Sequence, residues 1–229
     1  MMNKQEKIFS RRQMLEMAIG FGGFGFAFSG TGGSVFAQEA KRLFTPPLTL
    51  GPFYPQIKPL DTDADLTLLA GNKGRAEGKV VHLMGRVINL KGEPVRGAKI
   101  EIWQADTNGR YSHPSDPNTA PLDKNFQGYG VQTTDAEGRY RFKTVKPGAY
   151  TGLIAGMRTP HIHFEVAGKY DRVITQVFFP DEPLNEKDTI LQSLKSPHKE
   201  SVIVKLMPPT KELEADSVVA VWDMVLLKG

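Results

Sequence analysis

Two histidines separated by one residue are the clearest chemical signal in this chain. His161 and His163 lie in the string H-I-H-F, which we interpret as part of a β-strand. Because successive side chains of a strand point to opposite faces, both imidazoles project to the same side. This arrangement favours a shared metal ion, with two histidines satisfied in the core as the alternative. His82, His113 and His198 have no such partner, and we interpret them as ordinary core or surface residues.

Any further metal ligands must be residues other than cysteine, since the sequence contains none. Its absence excludes disulfides, iron–sulfur clusters, blue copper sites and the cysteine-based zinc modules. Oxygen donors remain, and tyrosine is one candidate. Tyr111 follows N-G-R and Tyr150 ends the turn-like string K-P-G-A-Y, but spacing alone does not select two of the six tyrosines. Core packing therefore remains open for each of them.

The elements that position these residues are predicted to be β-strands. The 229 residues, 40% of them apolar, with 23 Gly and 16 Pro, indicate a turn-rich globular domain. From Lys79 onward, eight short β-type runs are divided by turn residues, and the last two are S-V-I-V-K-L-M over residues 201–207 and V-V-A-V-W-D-M-V-L-L over residues 218–227. They predict an all-β fold, for which we favour a two-sheet antiparallel β-sandwich with little helix over a barrel. Only Asn185 to Leu194 is predicted to be helical, with Asn185 as its cap.

The N-terminal residues 1–37 have the pattern of a twin-arginine signal peptide. S-R-R-Q-M-L begins at Ser10, a glycine-rich apolar stretch follows, and Val35 and Ala37 supply the small residues of a cleavage site. The apolar stretch is shorter than the roughly twenty residues that a membrane-spanning helix needs. We therefore expect cleavage after Ala37 and a periplasmic or secreted protein with no membrane span after cleavage. An uncleaved N-terminal anchor is the alternative.

The chain after the signal peptide is predicted to consist of an arm and a β-sandwich domain. Residues 38–78 contain several turn formers and few periodic segments, so we expect them to wrap as an arm on the β-sandwich of residues 79–229. The net charge is +4, and no long basic run lies outside the leader. These features give no electrostatic reason to expect binding to nucleic acid.

The strings G-R-Y, P-G-A-Y and R-T-P-H-I-H-F follow one another in the chain, and on these and other strings the chain resembles, from about Leu48 to the C-terminus, the intradiol ring-cleavage dioxygenases and within them the protocatechuate 3,4-dioxygenase branch. The resemblance is specific because several strings occur in the family's order. These strings are L-T-L-G-P-F-Y-P, E-I-W-Q-A-D-T-N-G-R-Y-S-H, A-P-L-D-K-N-F-Q-G-Y-G, T-D-A-E-G-R-Y-R-F-K-T-V-K-P-G-A-Y, R-T-P-H-I-H-F and I-T-Q-V-F-F.

The resemblance implies one mononuclear non-haem Fe(III) per chain. Its protein ligands would be Tyr111, Tyr150, His161 and His163, with Tyr150 and His163 as the axial pair. Two phenolates are hard anionic donors that favour ferric iron. A bound trivalent ion can hold them deprotonated far below the free phenol pKa of about 10.

The resemblance also implies roles for residues around the metal. Tyr150 would act as a base for a substrate proton, and Arg158 would stabilise negative charge that develops on the ring. Trp103 and Gln176 match family residues that line the site or lie near it, and Tyr54 could reach over the pocket from the arm. The alternative for Trp103 and Gln176 is packing between the sheets. The alternative for Tyr54 is docking of the arm.

The function implied by the resemblance is ring cleavage of protocatechuate or a related catechol by O2. Cleavage between the two hydroxylated carbons would give a cis,cis-muconate-type dicarboxylate. Thr151 and Gly152 stand where protocatechuate enzymes tend to have an aromatic residue, so we expect a more open pocket wall. We expect a homo-oligomer and leave open an additional α-type partner subunit.

Two other functions are compatible with the residues alone. One is an exported, non-catalytic β-sandwich that binds a protein or carbohydrate. The other is a copper or zinc protein, or a metal-dependent hydrolase, in which the His-x-His pair is joined by a carboxylate such as Glu165 or Asp171.

Overall fold

The computed structural model describes residues 42–153 and 155–229, so the predicted signal peptide lies outside the described residues. Eleven strands occur in the described part of the chain. They are β1 (Val80–Asn89), β2 (Lys99–Trp103), β3 (Tyr129–Thr133), β4 (Arg139–Val145), β5 (Tyr150–Gly152), β6 (Gly156–Arg158), β7 (His161–Ala167), β8 (Arg172–Phe178), β9 (Lys205–Met207), β10 (Val218–Val221) and β11 (Met224–Leu226). Two short helices are α1 (Thr189–Gln192) and α2 (His198–Ser201), and a 3₁₀ turn spans Asn185–Lys187.

The strands form two main sheets and one separate hairpin. In the first sheet, β1 pairs antiparallel with β4, and in parallel with both β10 and β11 along its other edge. The second sheet has the order β3-β2-β7-β8 and is antiparallel throughout. Strands β5 and β6 pair only with each other.

The hydrophobic core lies between the two main sheets. Alternate residues of β7, among them Ile162 and Phe164, join Ile102 of β2 against Leu83 of β1 and Phe142 of β4, and all five are fully buried. Burial of each such side chain contributes about 1.5–3 kcal/mol. The all-β sandwich predicted from the spacing of the strands is therefore confirmed.

The last predicted strand is divided at Trp222 and Asp223. The Asp223 carboxylate accepts a hydrogen bond from Arg86 N at 2.8 Å, and it thus takes the place of a backbone acceptor beside β1. The Trp222 carbonyl accepts instead from the Tyr140 hydroxyl at 2.7 Å. The run predicted over residues 201–207 is also shorter as a strand, because Ser201 ends α2.

The predicted helix over residues 185–194 was wrong in its extent and its cap. The chain is extended at Asp188, with φ −72° and ψ 109°, which separates the 3₁₀ turn from α1. Asp188 caps α1 by accepting hydrogen bonds from Ile190 N and Leu191 N. The side chain of Asn185 does not cap the helix, since its oxygen accepts from the Thr159 hydroxyl at 2.8 Å. None of the helices in the described ranges is long and apolar enough to cross a bilayer.

Residues 45–49 run along β8, the edge strand of the second sheet. Leu48 N donates to the Ile174 carbonyl at 2.9 Å, and the Thr175 hydroxyl donates to the Pro46 carbonyl at 2.8 Å. The Gln176 amide donates to the Thr49 carbonyl at 2.9 Å. This segment therefore covers the β8 edge, and from Thr49 onward it reaches the sheet face that is turned away from the main core.

Candidate metal centre and active site

Both histidines of the H-I-H-F string project from β7 onto the covered outer face of the second sheet. Strand β7 lies between β2 and β8, and its intervening residues Ile162 and Phe164 point into the main core. His161 and His163 are each only 1% exposed, and their Nε2 atoms lie 3.2 Å apart. The alternation of the strand thus brings two buried ring nitrogens together.

Each imidazole is held in a fixed orientation. Nδ1 of His161 lies 2.6 Å from the Thr159 carbonyl, so Nδ1 carries the proton and Nε2 keeps its lone pair. The ring of His163 stacks on Trp103, with centroids 4.9 Å apart and planes inclined by 9°. Gly51 approaches the His163 ring so closely that a Cβ built on Gly51 would lie 2.9 Å from Cε1 of that ring.

Tyr111 and Tyr150 come from two loops whose backbones touch. Asp106 accepts hydrogen bonds from Asn108 N and Arg110 N, at 2.8 and 3.0 Å, and so shapes the turn before Tyr111. Gly148 N, two residues before Tyr150, donates to the Asp106 carbonyl at 2.9 Å.

Glycine is required where the two loops meet. A Cβ on Gly109 would lie 2.2 Å from the Ala149 carbonyl oxygen. The backbones can therefore approach closely enough to place the Tyr111 and Tyr150 rings edge to face, with centroids 5.2 Å apart.

The four side chains converge on one point and suit a metal ion there. The Tyr150 hydroxyl lies 3.3 Å from Nε2 of His161, and the buried Tyr111 hydroxyl has no hydrogen-bond partner among the described residues. Imidazole nitrogens bind metals at about 2.0–2.1 Å, so two that share an ion at roughly 90–110° lie about 2.9–3.4 Å apart. The 3.2 Å between the two histidine nitrogens fits this range. Two imidazoles and two phenols are a hard donor set that is suited to ferric iron.

Burial keeps the four groups neutral unless a cation is bound. It raises the pKa of Tyr111 well above 10, an effect that the neighbouring Tyr150 adds to, and it raises the pKa of Tyr150 against the attraction of Arg158. Burial also lowers the pKa of His161 and His163 well below 6.5, and the charge of Arg158 lowers both further. The imidazoles are therefore free to bind a metal, whereas the phenols need a cation nearby before they ionise.

Arg158 lies beside this cluster, in the middle of a buried polar network. It is 2% exposed and pairs with Tyr150 across the β5–β6 hairpin. Its Nε donates to Asp188 at 2.8 Å, and one terminal amino group donates to Gln176 at 2.6 Å. Gln176 is opposite His163 in the register of β7 and β8.

The predicted pocket residues fall into two groups. Trp103 and Gln176 lie in one row with His163 on the outer sheet face, where Trp103 supports the ring of His163. Tyr54 packs edge to face on Trp103, but its hydroxyl donates to Glu101 at 2.8 Å and is turned to that carboxylate. Tyr54 thus fastens the arm to β2.

A cavity of about 160 Å³ lies between the arm and β2. Its lining includes Phe53, Trp103, Tyr111, Gln127 and Tyr129. It therefore reaches one of the two predicted tyrosine ligands.

Neither carboxylate proposed for a copper or zinc site joins the histidine pair. Glu165 accepts from Arg172 Nε at 2.8 Å, and Asp171 accepts from the backbone of Lys228 and Gly229. Among residues 42–153 and 155–229, no three or more His, Asp or Glu side chains form a group that could hold a metal. Within those ranges, a side-chain oxygen that does reach the histidine pair is the Tyr150 hydroxyl, 3.3 Å from Nε2 of His161.

Sequence reasoning missed several residues that build the site. Asp106 shapes the Tyr111 loop, Asp188 holds Arg158, and Gly51 and Phe53 bring the arm against His163 and both tyrosines. Asp188 carried a usable signal, because aspartate directly before T-I-L is a favoured helix cap. Asp106 carried one as well, because aspartate favours turns by accepting from the backbone two residues on. Gly51 and Phe53 depend on contacts between segments distant in the chain, for which the sequence offers no local signal.

Comparison with known proteins places the chain in a family. A family model described as Dioxygenase matches residues 50–228. The protocatechuate 3,4-dioxygenase beta chain of Burkholderia cepacia is 42% identical over 168 residues, which cover 72% of this chain and 71% of that protein. The chain belongs to the intradiol dioxygenase family.

Other relatives share less of their length with this chain. Hydroxyquinol 1,2-dioxygenase of a Rhizobium species is 30% identical over 156 residues, 62% of this chain and 50% of that protein. Catechol 1,2-dioxygenase 1 of Acinetobacter lwoffii is 37% identical over 112 residues, 43% of this chain and 34% of that protein. The chain thus spans half or less of these two relatives.

Solved structures share the fold of this intradiol dioxygenase. The dioxygenase domain of a carbohydrate-binding fusion protein from a Streptomyces species superposes with a TM-score of 0.61 at 24% identity, covering 81% of this chain and 99% of that one. 3-Chlorocatechol 1,2-dioxygenase from Rhodococcus opacus gives 0.62 at 20% identity, covering 80% and 73%. At these identities the likeness supports the fold alone.

Proposed function

We propose that this intradiol dioxygenase binds one Fe(III) per chain through Tyr111, Tyr150, His161 and His163. The observation that carries the proposal is the convergence of two imidazole Nε2 atoms, 3.2 Å apart, with two buried phenols. Bound ferric iron would supply the Lewis acidity that makes a chelated catecholate reactive towards O2. The overall reaction adds both atoms of O2 to a catechol and gives a cis,cis-muconate-type dicarboxylate.

The side chains of this chain bind, orient and deprotonate the substrate. Tyr150 accepts one catechol proton at its phenolate oxygen, since that oxygen lies beside the predicted metal position. Arg158 provides a buried, fixed cation that stabilises negative charge on the substrate ring. The arm, through Phe53, packs over both tyrosines and excludes water from the reacting groups.

The proposed substrate is protocatechuate or a related catechol. The 42% identity with a protocatechuate 3,4-dioxygenase beta chain supports this class, and the relatives that act on hydroxyquinol and catechol widen it. Thr151 is exposed beside Tyr150, which supports the expectation of an open pocket wall.

We propose a homo-oligomer and leave room for a second subunit. This chain is also similar to a protocatechuate 3,4-dioxygenase alpha chain of Pseudomonas putida, at 29% identity over 136 residues. The proposed location is the periplasm or the exterior, by the twin-arginine route, and its support is the S-R-R-Q-M-L string and the following cleavage motif. Size-exclusion chromatography coupled to light scattering and N-terminal sequencing of the exported protein test these two points.

The visible spectrum of the purified, iron-loaded protein is the most direct test of the metal site. Charge transfer from phenolate to Fe(III) should give a burgundy colour that shifts when a catechol is added under anaerobic conditions. Oxygen uptake with protocatechuate and with catechol in one assay then ranks the substrates, and mass spectrometry should find both oxygen atoms in the ring-opened product. A colourless protein with one iron per chain would contradict the two tyrosine ligands.

A further inference from the structure

Asp188 is a fully buried carboxylate whose oxygens accept four hydrogen bonds. Its Oδ2 accepts from Arg158 Nε at 2.8 Å and from Thr159 N at 3.0 Å. Its Oδ1 accepts from Ile190 N and Leu191 N, at 3.0 and 2.9 Å, at the start of α1. The side chain is 0% exposed, so no solvent competes for these bonds. One residue therefore links Arg158 and the entry to β7 with α1.

The contacts of Arg158 leave one part of its guanidinium free for substrate. Nε is held by Asp188, and one terminal amino group is held by Gln176 at 2.6 Å. Gln176 is itself fixed, because its amide donates to the Thr49 carbonyl at 2.9 Å. Within the described residues, the other terminal amino group has no hydrogen-bond partner. A planar guanidinium held along one edge can rotate little, so the free amino group keeps one direction.

That direction matters because Arg158 belongs to the same small region as all four predicted ligands. It pairs with Tyr150 across the β5–β6 hairpin and precedes His161 by three residues. Asp188 also binds the backbone of Thr159, whose carbonyl fixes the tautomer of His161. A change at Asp188 is thus transmitted to the cation and to the segment that leads into β7.

We propose that Asp188 is a positioning residue that holds the Arg158 guanidinium against the bound catecholate. Asp188 does not touch the substrate and acts through Arg158. The buried pair also keeps the arginine charge compensated, because an unpaired buried cation would move towards water or recruit another anion. This inference rests on the proposed function, since it assigns a purpose to the fixed direction of Arg158.

Asp188→Asn separates the two tasks of this carboxylate. Asparagine caps helices as well as aspartate does, so its side-chain oxygen preserves the start of α1. Its amino group then faces Arg158 Nε and Thr159 N, which are both donors, so the link to the arginine is lost. We expect kcat with catechol to fall about 10- to 100-fold, as for the loss of a charge-assisted hydrogen bond that orients a catalytic group. Iron content and anaerobic catechol affinity should stay within about twofold, because Thr159 keeps its hydroxyl bond to Asn185 and its carbonyl still fixes the His161 ring.

Asp135→Asn is the control at an exposed carboxylate that has similar hydrogen-bond partners. Asp135 accepts from Arg139 Nε at 2.6 Å and from the backbone of Glu137 and Arg139, so it has the same kind of partners in the turn between β3 and β4. This variant should keep the kcat of the wild type. If Asp188→Asn also keeps the wild-type kcat and loses only thermal stability, Asp188 is structural and the inference is overturned.

A double-mutant cycle with Arg158→Gln tests whether Asp188 acts through the arginine. The double variant should be no slower than Arg158→Gln alone, whereas fully multiplicative losses would overturn the inference. Should Asp188→Asn fail to fold, NMR of the wild-type chain without metal decides. The Arg158 Nε proton should then exchange slowly with solvent, and a rapidly exchanging proton would contradict the buried link. A wild type that binds iron but cleaves no catechol would instead refute the proposed function, and the NMR result would still stand.

Discussion

Gly51→Ala tests whether the arm holds a predicted iron ligand in place. Gly51 has φ +73°, where an L-residue costs about 1–2 kcal/mol, and a Cβ would lie 2.9 Å from Cε1 of His163. Ordinary contact begins at 3.4 Å, so about 0.5 Å of movement is needed. His163 cannot yield freely, because its ring stacks on Trp103 and its strand is paired on both sides.

The expected result is a loss of function that exceeds the loss of stability. A misplacement of about 1 Å can reduce a rate about 100-fold, so a shift half as large should lower kcat/KM roughly 10-fold. The melting temperature should fall by roughly 2–8 °C, from the backbone cost alone. Steady-state oxygen uptake, iron analysis and a thermal melt measure the three effects.

Gly71→Ala supplies the control, because it has the same backbone strain without the contact. Gly71 has φ +87°, and nothing lies within 4 Å of a Cβ built on it. This variant should lose similar stability and keep its iron and its kcat/KM. If both variants behave alike in activity and iron content, the arm does not support His163 and the reasoning fails.

Three further variants test the arm and the ligands. Although burial raises the pKa of Glu101, hydrogen bonds from Lys58, Lys99, Tyr129 and Tyr54 lower it to about 2. Because the pKa of Glu101 is lower in the folded than in the unfolded chain, the ionised carboxylate stabilises the fold. This contribution is complete above the unfolded-state pKa of about 4.3 and is lost as the pH falls towards 2. Glu101→Gln should therefore lower the free energy of unfolding by about 1–2 kcal/mol at pH 7, after allowance for solvent screening at the exposed lysines. Urea unfolding should show that the difference between the wild type and the variant disappears near pH 2. Tyr150→Phe should lower the iron content and weaken the visible band, because it removes one phenolate donor but keeps the ring that packs on Phe53. His161→Ala should empty the site, with His198→Ala as the control that retains iron; unchanged iron in either ligand variant would contradict the metal assignment.

The histidine pair was predictable because it depends only on a local rule. Alternation along a strand fixes His161 and His163 on one face whatever the rest of the chain does. The tyrosines differ, since Tyr111 and Tyr150 face each other only because Asp106 joins two loops and Gly109 lets their backbones touch. Without the resemblance to a family, nothing in their spacing separates them from the other four tyrosines.

The polar network around Arg158 shows a second kind of limit. Asp188 lies 30 residues after Arg158 in the sequence, and only the fold reveals that the two are paired. The same tertiary contacts explain the wrong helix cap. Asn185 is a good capping residue in isolation, but its side chain is used by Thr159 and by the Phe179 carbonyl. Local propensity was overridden by a better set of distant partners.

We expect Tyr150 to be the predicted ligand that would most readily give up its position to substrate and accept a proton. His161 and His163 belong to β7, which is hydrogen-bonded to a neighbour on each side, so moving either would disturb the second sheet. Tyr150 begins a three-residue strand that pairs only with β6, and the next residue, Thr151, is exposed. The backbone that carries Tyr150 is therefore held by fewer sheet hydrogen bonds than the backbone that carries the two histidines. If the proposed iron is bound, two imidazoles on a strand paired on both sides would fix its position, and Tyr150, on the separate hairpin, would be the group placed to act as a local base.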